Sequence, residues 1–142
     1  MLSTGISAAP ARCFELSLSV DVHLQSTASS SERVVDGVAS GLLVLGDRVT
    51  WEARHFGRRR RMTVEITAYE KPTMFRDEQV QGPFRRFAHE HVFEPTEDGT
   101  TMHDVLEFSL FPGFDRLVLA PYLRRFLLVR NETIRGIAES RG

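Results

Sequence analysis

The chain has 142 residues, 42% of them hydrophobic, and a formal net charge of −1. A chain of this length is expected to fold as one domain with a substantial apolar core, and its balanced charge argues against a nucleic-acid-binding protein. The longest apolar runs are too short to span a bilayer, and a single cysteine excludes an intramolecular disulfide. We expect a soluble cytoplasmic protein, without stable membrane insertion, that is a monomer or a homodimer.

The N-terminal part of the chain is predicted to be irregular before the first strand. Residues 1–13 lack the basic start and apolar core of a signal peptide and are expected to form a flexible leader, so the predicted domain covers residues 14–142. Strict alternation predicts a first strand over Phe14–Val22. The polar stretch His23–Glu32 is predicted to hold one or two short helices, and Arg33–Ala39 a short second strand.

The middle of the chain alternates with a period of two, and glycine, proline and aspartate mark its turns. Neighbouring strands joined by short turns must be antiparallel, because parallel neighbours would need long crossover connections. The sequence therefore predicts an antiparallel sheet of six to seven strands. Its five long strands are predicted over Arg48–Phe56, Arg59–Tyr69, Thr73–Gln81, Phe84–Glu94 and Thr100–Leu110.

The C-terminal part of the chain has a helical pattern. Apolar residues recur at steps of three and four between Leu123 and Ala138, which predicts one apolar stripe on a helix. Because proline disrupts a helix interior, we predict a short helix from about Phe114, a break or kink, and a main helix over Pro121–Ser140. The charged residues predicted to lie off the stripe are Arg124, Arg125, Arg130, Glu132 and Arg135.

The dimensions of these elements predict an internal pocket. The main helix would be about 30 Å long, similar to the width of a six- or seven-stranded sheet. One helix can therefore cross such a sheet but cannot cover it, and a strongly curled sheet leaves a hollow beside the helix.

Two histidines stand out on the strand Phe84–Glu94. His89 and His91 share one face because strand side chains repeat every two residues, and hairpin proximity places Asp77 and Asp104 near them. Each imidazole could bond a carboxylate and stiffen the sheet, or line the pocket and orient a ligand hydroxyl or carbonyl. As a third alternative, a His–Asp pair could transfer protons. The candidate catalytic residues are His89, His91, Asp104 and Asp77, and without metal-binding spacing we expect no metal.

Large apolar side chains spread over the predicted sheet suit a ligand pocket, which is mostly apolar with few polar points. The predicted ligand-binding residues are Trp51, Phe75, Phe87, His89, His91, Met102, Asp104, Phe108 and Phe126. Arg58–Arg61 fall at a hairpin tip, where we expect a solvated turn; a surface for an anionic partner is the alternative. Cys13 is expected to be chemically inert.

Several stretches of the chain resemble the pattern of a known family: Leu45–Gly57 (G-D-x-V), Met74–Glu94 (F-x-D…G-P-F…H-x-H-x-F-E), Gly99–Phe108 (G-T-x-M-x-D), and Leu123–Phe126 with Arg130–Asn131 (the end of the last helix). The family is the START/SRPBCC superfamily, in particular its bacterial polyketide cyclase/dehydrase-like subgroup, and the likeness covers roughly Phe14 to Ser140. Two departures concern the polar stretch His23–Glu32, which is shorter than the family's usual helix pair, and Pro121, which interrupts the last helix.

The resemblance implies an α+β helix-grip fold, in which a curved antiparallel sheet of six to seven strands wraps around a long C-terminal helix. It implies no metal and no cofactor. We therefore predict binding of a small hydrophobic or lipid-like molecule in a cavity between the sheet and the helix. The alternatives are a polyketide cyclase/aromatase-type enzyme that uses a His/Asp pair, and an interaction or regulatory protein with a vestigial pocket.

Overall fold

The computed structural model describes residues 1–27, 32–55, 57–110 and 113–140. Within these ranges, no helix is long and apolar enough to cross a membrane. The elements in chain order are β1 (Leu2–Ile6), α1 (Pro10–Leu18), α2 (Val20–Ser26), β2 (Arg33–Gly37), β3 (Arg48–His55), β4 (Arg58–Glu70), β5 (Met74–Gln81), β6 (Arg86–Thr96), β7 (Gly99–Ser109), a π-helical turn (Asp115–Leu119) and α3 (Ala120–Ser140).

The strands form one antiparallel sheet in the order β1-β7-β6-β5-β4-β3-β2. Strands β2 to β7 follow one another as a meander, as the short turns between them require, and β1 pairs with β7 at the far edge. The long helix α3 lies against the curved sheet. The predicted α+β helix-grip fold is confirmed, and β2 to β7 lie within two residues of their predicted ends.

The N-terminal residues form an edge strand, so the prediction of a flexible leader over residues 1–13 is wrong for β1 and for the start of α1. Leu2 pairs with Asp104 and Ile6 with Thr100, and the side chains of Leu2 and Ile6 are buried. The sequence signal was weak because the residues between these two are serine, threonine and glycine, of which glycine disfavours strands. Burial of the two apolar ends decides the conformation.

The predicted strand over Phe14–Val22 is also wrong, because these residues belong to the two short helices α1 and α2. Pro10 occupies the first turn of α1, where its missing N–H is harmless. Ser19 lies between the two helices in an extended conformation. Its side chain caps α2 by accepting a hydrogen bond from the N–H of Val22. An alternating pattern also contains apolar residues four apart, such as Phe14 and Leu18, and residues four apart lie on the same face of a helix.

The last helix begins without the predicted break. A π-helical turn over Asp115–Leu119 runs directly into α3, and the N–H of Ala120 bonds the carbonyl of Asp115, five residues back. Pro121 follows at once in the first turn of α3, as predicted. The wider turn accommodates a proline ring that would clash with a carbonyl in a regular helix.

The solid part of the core lies between α1, the C-terminal half of α3 and the sheet. Phe14 is fully buried and meets Tyr69, Phe75 and Phe93 edge-on, with ring centroids 5.4 to 5.7 Å apart. The same cluster contains the buried residues Cys13, Ile134 and Ala138. Burial raises the pKa of the Cys13 thiol, which disfavours the reactive thiolate.

Alanine substitutions at two glycines are expected to change the stability of the protein in opposite directions. A Cβ on Gly99 would lie 2.2 Å from the carbonyl oxygen of Ile6, whereas a Cβ on Gly136, in α3, would meet open space. We expect Gly99→Ala to lower the free energy of unfolding by at least about 2 kcal/mol and Gly136→Ala to raise it by about 1 kcal/mol. Urea unfolding curves measure both changes, and a neutral Gly99→Ala would contradict the close approach of β1 to β7.

Candidate functional site

A cavity of about 680 Å³ lies between the sheet and the N-terminal half of α3. Its volume is in the range of small-molecule binding pockets, and most of its wall is apolar. The predicted hollow beside the helix is therefore present. Of the predicted site residues, those in the cavity wall are Trp51, Phe75, Asp77, Phe87, His89, His91 and Phe126.

Three predicted ligand-binding residues lie outside the wall. Met102 belongs to the packed core, where helix α1 fills the space above it and the hydroxyl of Ser17 contacts its sulfur. Asp104 lies behind His89, with 2% of its surface exposed. Phe108 pairs with Phe87, which alone of the two reaches the wall. For the residues in the wall, the role as ligand contacts stays a prediction.

The two histidines lie on the cavity side of β6, and each bonds a carboxylate of a neighbouring strand. Their direct partners in register are Asp77 for His89 and Asp104 for His91. The hydrogen bonds instead run diagonally: Nε2 of His89 bonds Asp104 at 2.7 Å, and Nε2 of His91 bonds Asp77 at 2.8 Å. The imidazole rings stack with centroids 3.7 Å apart. The histidines therefore bond carboxylates and also line the pocket, and the orientation of a ligand hydroxyl or carbonyl by them stays a prediction.

Asp104 is the centre of a wider buried network that includes α3 and β1. Its Oδ2 accepts a hydrogen bond of 2.7 Å from the side-chain amide of Asn131, which also donates to the hydroxyl of Thr4. The guanidinium of Arg130 lies 3.6 Å from Oδ1 and donates to the Oδ1 of Asn131. A buried charge is tolerated only when it is paired and hydrogen-bonded in this way.

Arg130 and Asn131 are two buried site residues that were not predicted from the sequence. The prediction that Arg130 lies off the apolar stripe is wrong, since only 5% of its surface is exposed and it lies in the cavity wall. A usable signal was present, because Leu127 and Ile134 are seven residues apart and positions 130 and 131 fall between them on the same face. The charge of Arg130 argued for an exposed position, although its place in the sequence falls on the apolar stripe.

The network keeps its carboxylates ionised and His91 neutral. Burial alone would raise the pKa of Asp77 and of Asp104, but bonds from the histidines and the charge of Arg130 outweigh burial and hold both pKa values below their usual range. Burial, assisted by the nearby charge of Arg130, lowers the pKa of His91 to about 4.

The hydrogen bonds also assign the ring protons. A carboxylate only accepts, so Nε2 of His89 and of His91 carries the hydrogen in each bond. Arg130 only donates, and its Nη2 lies 3.5 Å from Nδ1 of His91, so that nitrogen accepts. Nδ1 of His89 has no hydrogen-bond partner in the described ranges. In the described ranges, every fully buried side-chain nitrogen or oxygen has a hydrogen-bond partner. Since Nδ1 of His89 has none, it is not fully buried, and it faces the cavity that His89 lines.

A second polar group lies in the wall near β3 and α2. His23 bonds Glu32 at 2.5 Å and stacks on Trp51, with centroids 4.1 Å apart. Tyr122 of α3 lies in the same cavity wall, and burial together with the charge of Glu32 raises the pKa of its hydroxyl. Arg60 also reaches this wall. The apolar cavity therefore has polar groups at two separate places on its wall.

The predicted cationic surface at Arg58–Arg61 is divided by strand alternation. Arg61 donates to Glu52 at 2.8 Å, and Arg59 lies 3.6 Å from the same carboxylate. Arg33 joins them at 2.6 Å, and the bonds from Arg61 and Arg33 lower the pKa of Glu52. Two of the four arginines, Arg59 and Arg61, thus form ion pairs with Glu52. An anionic partner at this surface stays a prediction.

Asp77, His89 and His91 are the described residues that could hold a metal, since they offer ligand atoms within 4.8 Å of one another. Two of the imidazole nitrogens already donate to carboxylates, and the fixed charge of Arg130 lies beside them. A divalent cation would have to break these bonds next to a positive group. The donor set therefore fits a metal poorly, and its absence stays a prediction.

Mild acid is expected to destabilise the protein through His91. The pKa of its imidazole is about 4 when folded and 6.5 ordinarily, so between these values the unfolded chain binds more protons and stability falls as the pH falls. His91→Gln keeps a donor and an acceptor but cannot titrate. Its loss of stability from pH 6.5 to 4.5 should be smaller than that of the wild type by on the order of 2 kcal/mol.

The measurement is urea unfolding at each pH, with His103→Gln as the matched surface control. A His91→Gln profile parallel to that of the wild type would rule out a buried neutral imidazole. Below the ordinary value of 3.8, the lowered pKa values of Asp77 and Asp104 predict a further loss in all three proteins.

The fold is similar to several solved structures. The protein TTHA0849 from Thermus thermophilus is 22% identical, with a TM-score of 0.69, over 99% of this chain and 93% of that chain. Ara h 8.0201 is 14% identical, with a TM-score of 0.74, over 98% and 95%. Major latex-like protein 151 from Panax ginseng is 16% identical, with a TM-score of 0.72, over 96% and 94%. At these identities the likeness concerns the fold alone.

The family assignment rests on the sequence itself. Comparison with curated proteins finds no match. Residues 3–132 match the family model described as polyketide cyclase / dehydrase and lipid transport, and this range includes most of β1, the histidine strand and more than half of the last helix. This range agrees with the SRPBCC resemblance of the central hairpins. The chain belongs to the polyketide cyclase / dehydrase and lipid transport family.

Proposed function

We propose that the protein binds a small hydrophobic or lipid-like molecule in the cavity under α3. The observation that carries the proposal is the cavity itself, about 680 Å³ of mostly apolar space beside a solidly packed core. Desolvation of apolar ligand surface supplies affinity in such a pocket, and a few polar groups supply orientation. The family description, which includes lipid transport, supports the same function.

One position in the cavity wall allows a test in which a larger side chain takes cavity volume. Leu106 of β7 lines the cavity opposite His89 in the sheet register and is only partly buried. On the outer side of α3, Leu128 is 43% exposed. Tryptophan at these two positions gives a matched pair, because only the first would occupy cavity volume.

Leu106→Trp should weaken the binding of N-phenyl-1-naphthylamine, an uncharged apolar fluorophore, by about ten-fold or more, because the indole takes space from the ligand. Leu128→Trp should leave the affinity unchanged. Fluorescence titration measures both, and native mass spectrometry of freshly purified wild-type protein would show any ligand that co-purifies. Failure of the fluorophore to bind the wild type, or equal affinity in both variants, would refute a ligand cavity.

A second candidate function, a cyclase/aromatase-type enzyme, is favoured by the His89–Asp104 pair. The carboxylate fixes the ring through Nε2 and leaves Nδ1 toward the cavity, which is the arrangement of a general base held by a carboxylate. Abstraction of a proton next to a carbonyl would be the first step of such a cyclisation.

The enzyme candidate predicts exchange of the C2 protons of the β-diketone benzoylacetone in deuterated water. The wild type should accelerate this exchange, followed by NMR, and His89→Phe should reduce the acceleration about 100-fold, while the surface variant His103→Phe retains it. Exchange at the buffer rate in the wild type would exclude general-base catalysis on this probe.

A further inference from the structure

His89 is a buried, rigidly held side chain at a position where it could bind a ligand hydroxyl. Its side chain is 93% buried, and its ring is held on two sides, by the 2.7 Å bond from Nε2 to Asp104 and by the stack on His91. Asp104 is itself held by Asn131 and Arg130. The ring therefore cannot rotate to exchange its nitrogens without breaking the network, and the nitrogen that faces the cavity is fixed as Nδ1.

The chemistry of that nitrogen follows from the bond on the other side of the ring. Because Nε2 gives its hydrogen to a carboxylate, an imidazole ring with one hydrogen keeps that hydrogen on Nε2 and has a lone pair on Nδ1. That nitrogen can only accept a hydrogen bond. In the described part of the chain no side chain donates to it, and it is the one imidazole nitrogen of the His89–His91 pair left without a partner.

The neighbouring polar groups reinforce this preference for a donor. His91 uses both nitrogens, toward Asp77 and Arg130. Asp77 lies in the cavity wall, and its carboxylate can only accept. Arg130 has donors, but its Nη1 and Nη2 already point at Asn131 and His91. A ligand hydroxyl that approaches the His89 ring therefore meets acceptors at Nδ1 and at Asp77, while two of the five N–H donors of Arg130 are engaged with Asn131 and His91.

We propose that the cavity selects hydroxylated apolar molecules, such as phenols, enols or sterol-like alcohols, by accepting the ligand's O–H on Nδ1 of His89. This inference rests on the proposed ligand-binding function and adds the chemical class of the ligand. A buried acceptor left unpaired is unfavourable, so an otherwise identical molecule without the hydroxyl binds more weakly. Ethers and ketones, which carry only acceptors, gain nothing at this position.

The test uses three fluorescent probes of one shape: 1-hydroxypyrene, 1-methoxypyrene and pyrene. The wild type should bind 1-hydroxypyrene about ten-fold more tightly than either of the others, the effect of one hydrogen bond in a cavity that excludes water. His89→Phe keeps an aromatic ring but removes the acceptor, so the three affinities should converge near that of pyrene. His103→Phe, on the outer face of β7, is the matched control and should keep the ten-fold difference.

Because His89→Phe leaves Asp104 without its bond, a second measurement uses only the wild type. In protein labelled with ¹⁵N at histidine, the Nδ1 resonance of His89 should shift on titration with 1-hydroxypyrene and stay in place with 1-methoxypyrene. The absence of a hydroxyl-specific shift would overturn the proposal even if the variant fails to fold.

The remaining outcomes separate this proposal from the proposed function. Equal binding of the three probes to the wild type, or a ten-fold difference that persists in His89→Phe, would overturn the hydroxyl site and leave the cavity as a ligand site. Tighter binding of the methyl ether would show that a donor on the protein governs this end. If none of the probes binds the wild type, the ligand-binding function fails, and the hydroxyl site fails with it.

Discussion

The ionised carboxylate of Asp104 is the constraint on which the rest of the site depends. A charge with 2% of its surface exposed must be neutralised, and the partners come from two separate elements: His89 of β6, and Arg130 and Asn131 of α3. Removing one partner of such a group is expected to cost about 3–5 kcal/mol, because the other charge stays buried. The network therefore fixes the middle of α3 at one height above the sheet.

This attachment divides α3 into two parts with different roles. C-terminal to Asn131, the small and branched side chains of Ile134 and Ala138 pack against the core around Phe14. N-terminal to Arg130, the inward side chains of Tyr122, Leu123 and Phe126 cover the cavity instead. A helix anchored at its middle can pack tightly on one side and span a hollow on the other, so stability and ligand space are supplied by different halves of one element.

The sequence predicted this architecture where one interpretation of a pattern was available. Strands β3 to β7 were located because alternation and turn residues agreed, and Asp77 and Asp104 were placed beside the histidines because hairpins bring them together. Prediction failed where a pattern had two solutions. Alternation over Phe14–Val22 suits a strand as well as two short helices, and only the contacts of Phe14 with three aromatic rings decide between them.

The functional detail was out of reach for a different reason. Which nitrogen of His89 faces the cavity depends on a diagonal bond to Asp104 rather than on the residue directly opposite. The diagonal is selected by Asn131 and Arg130, which are distant in sequence, and Arg130 was assigned to the wrong face of the helix. Polarity alone does not distinguish a solvated arginine from one that neutralises a buried acid.

The π-helical turn before α3 gives the cavity a means of changing shape during evolution. It adds about one residue to a helical turn next to Pro121, and each residue of a helix rotates its successors by about 100°. A single deletion at Asp115–Leu119 would therefore turn Phe114, now part of the wall, away from the interior, while the sheet and the anchored half of α3 stay as they are. Related chains could acquire cavities for different ligands by shortening or restoring this one turn.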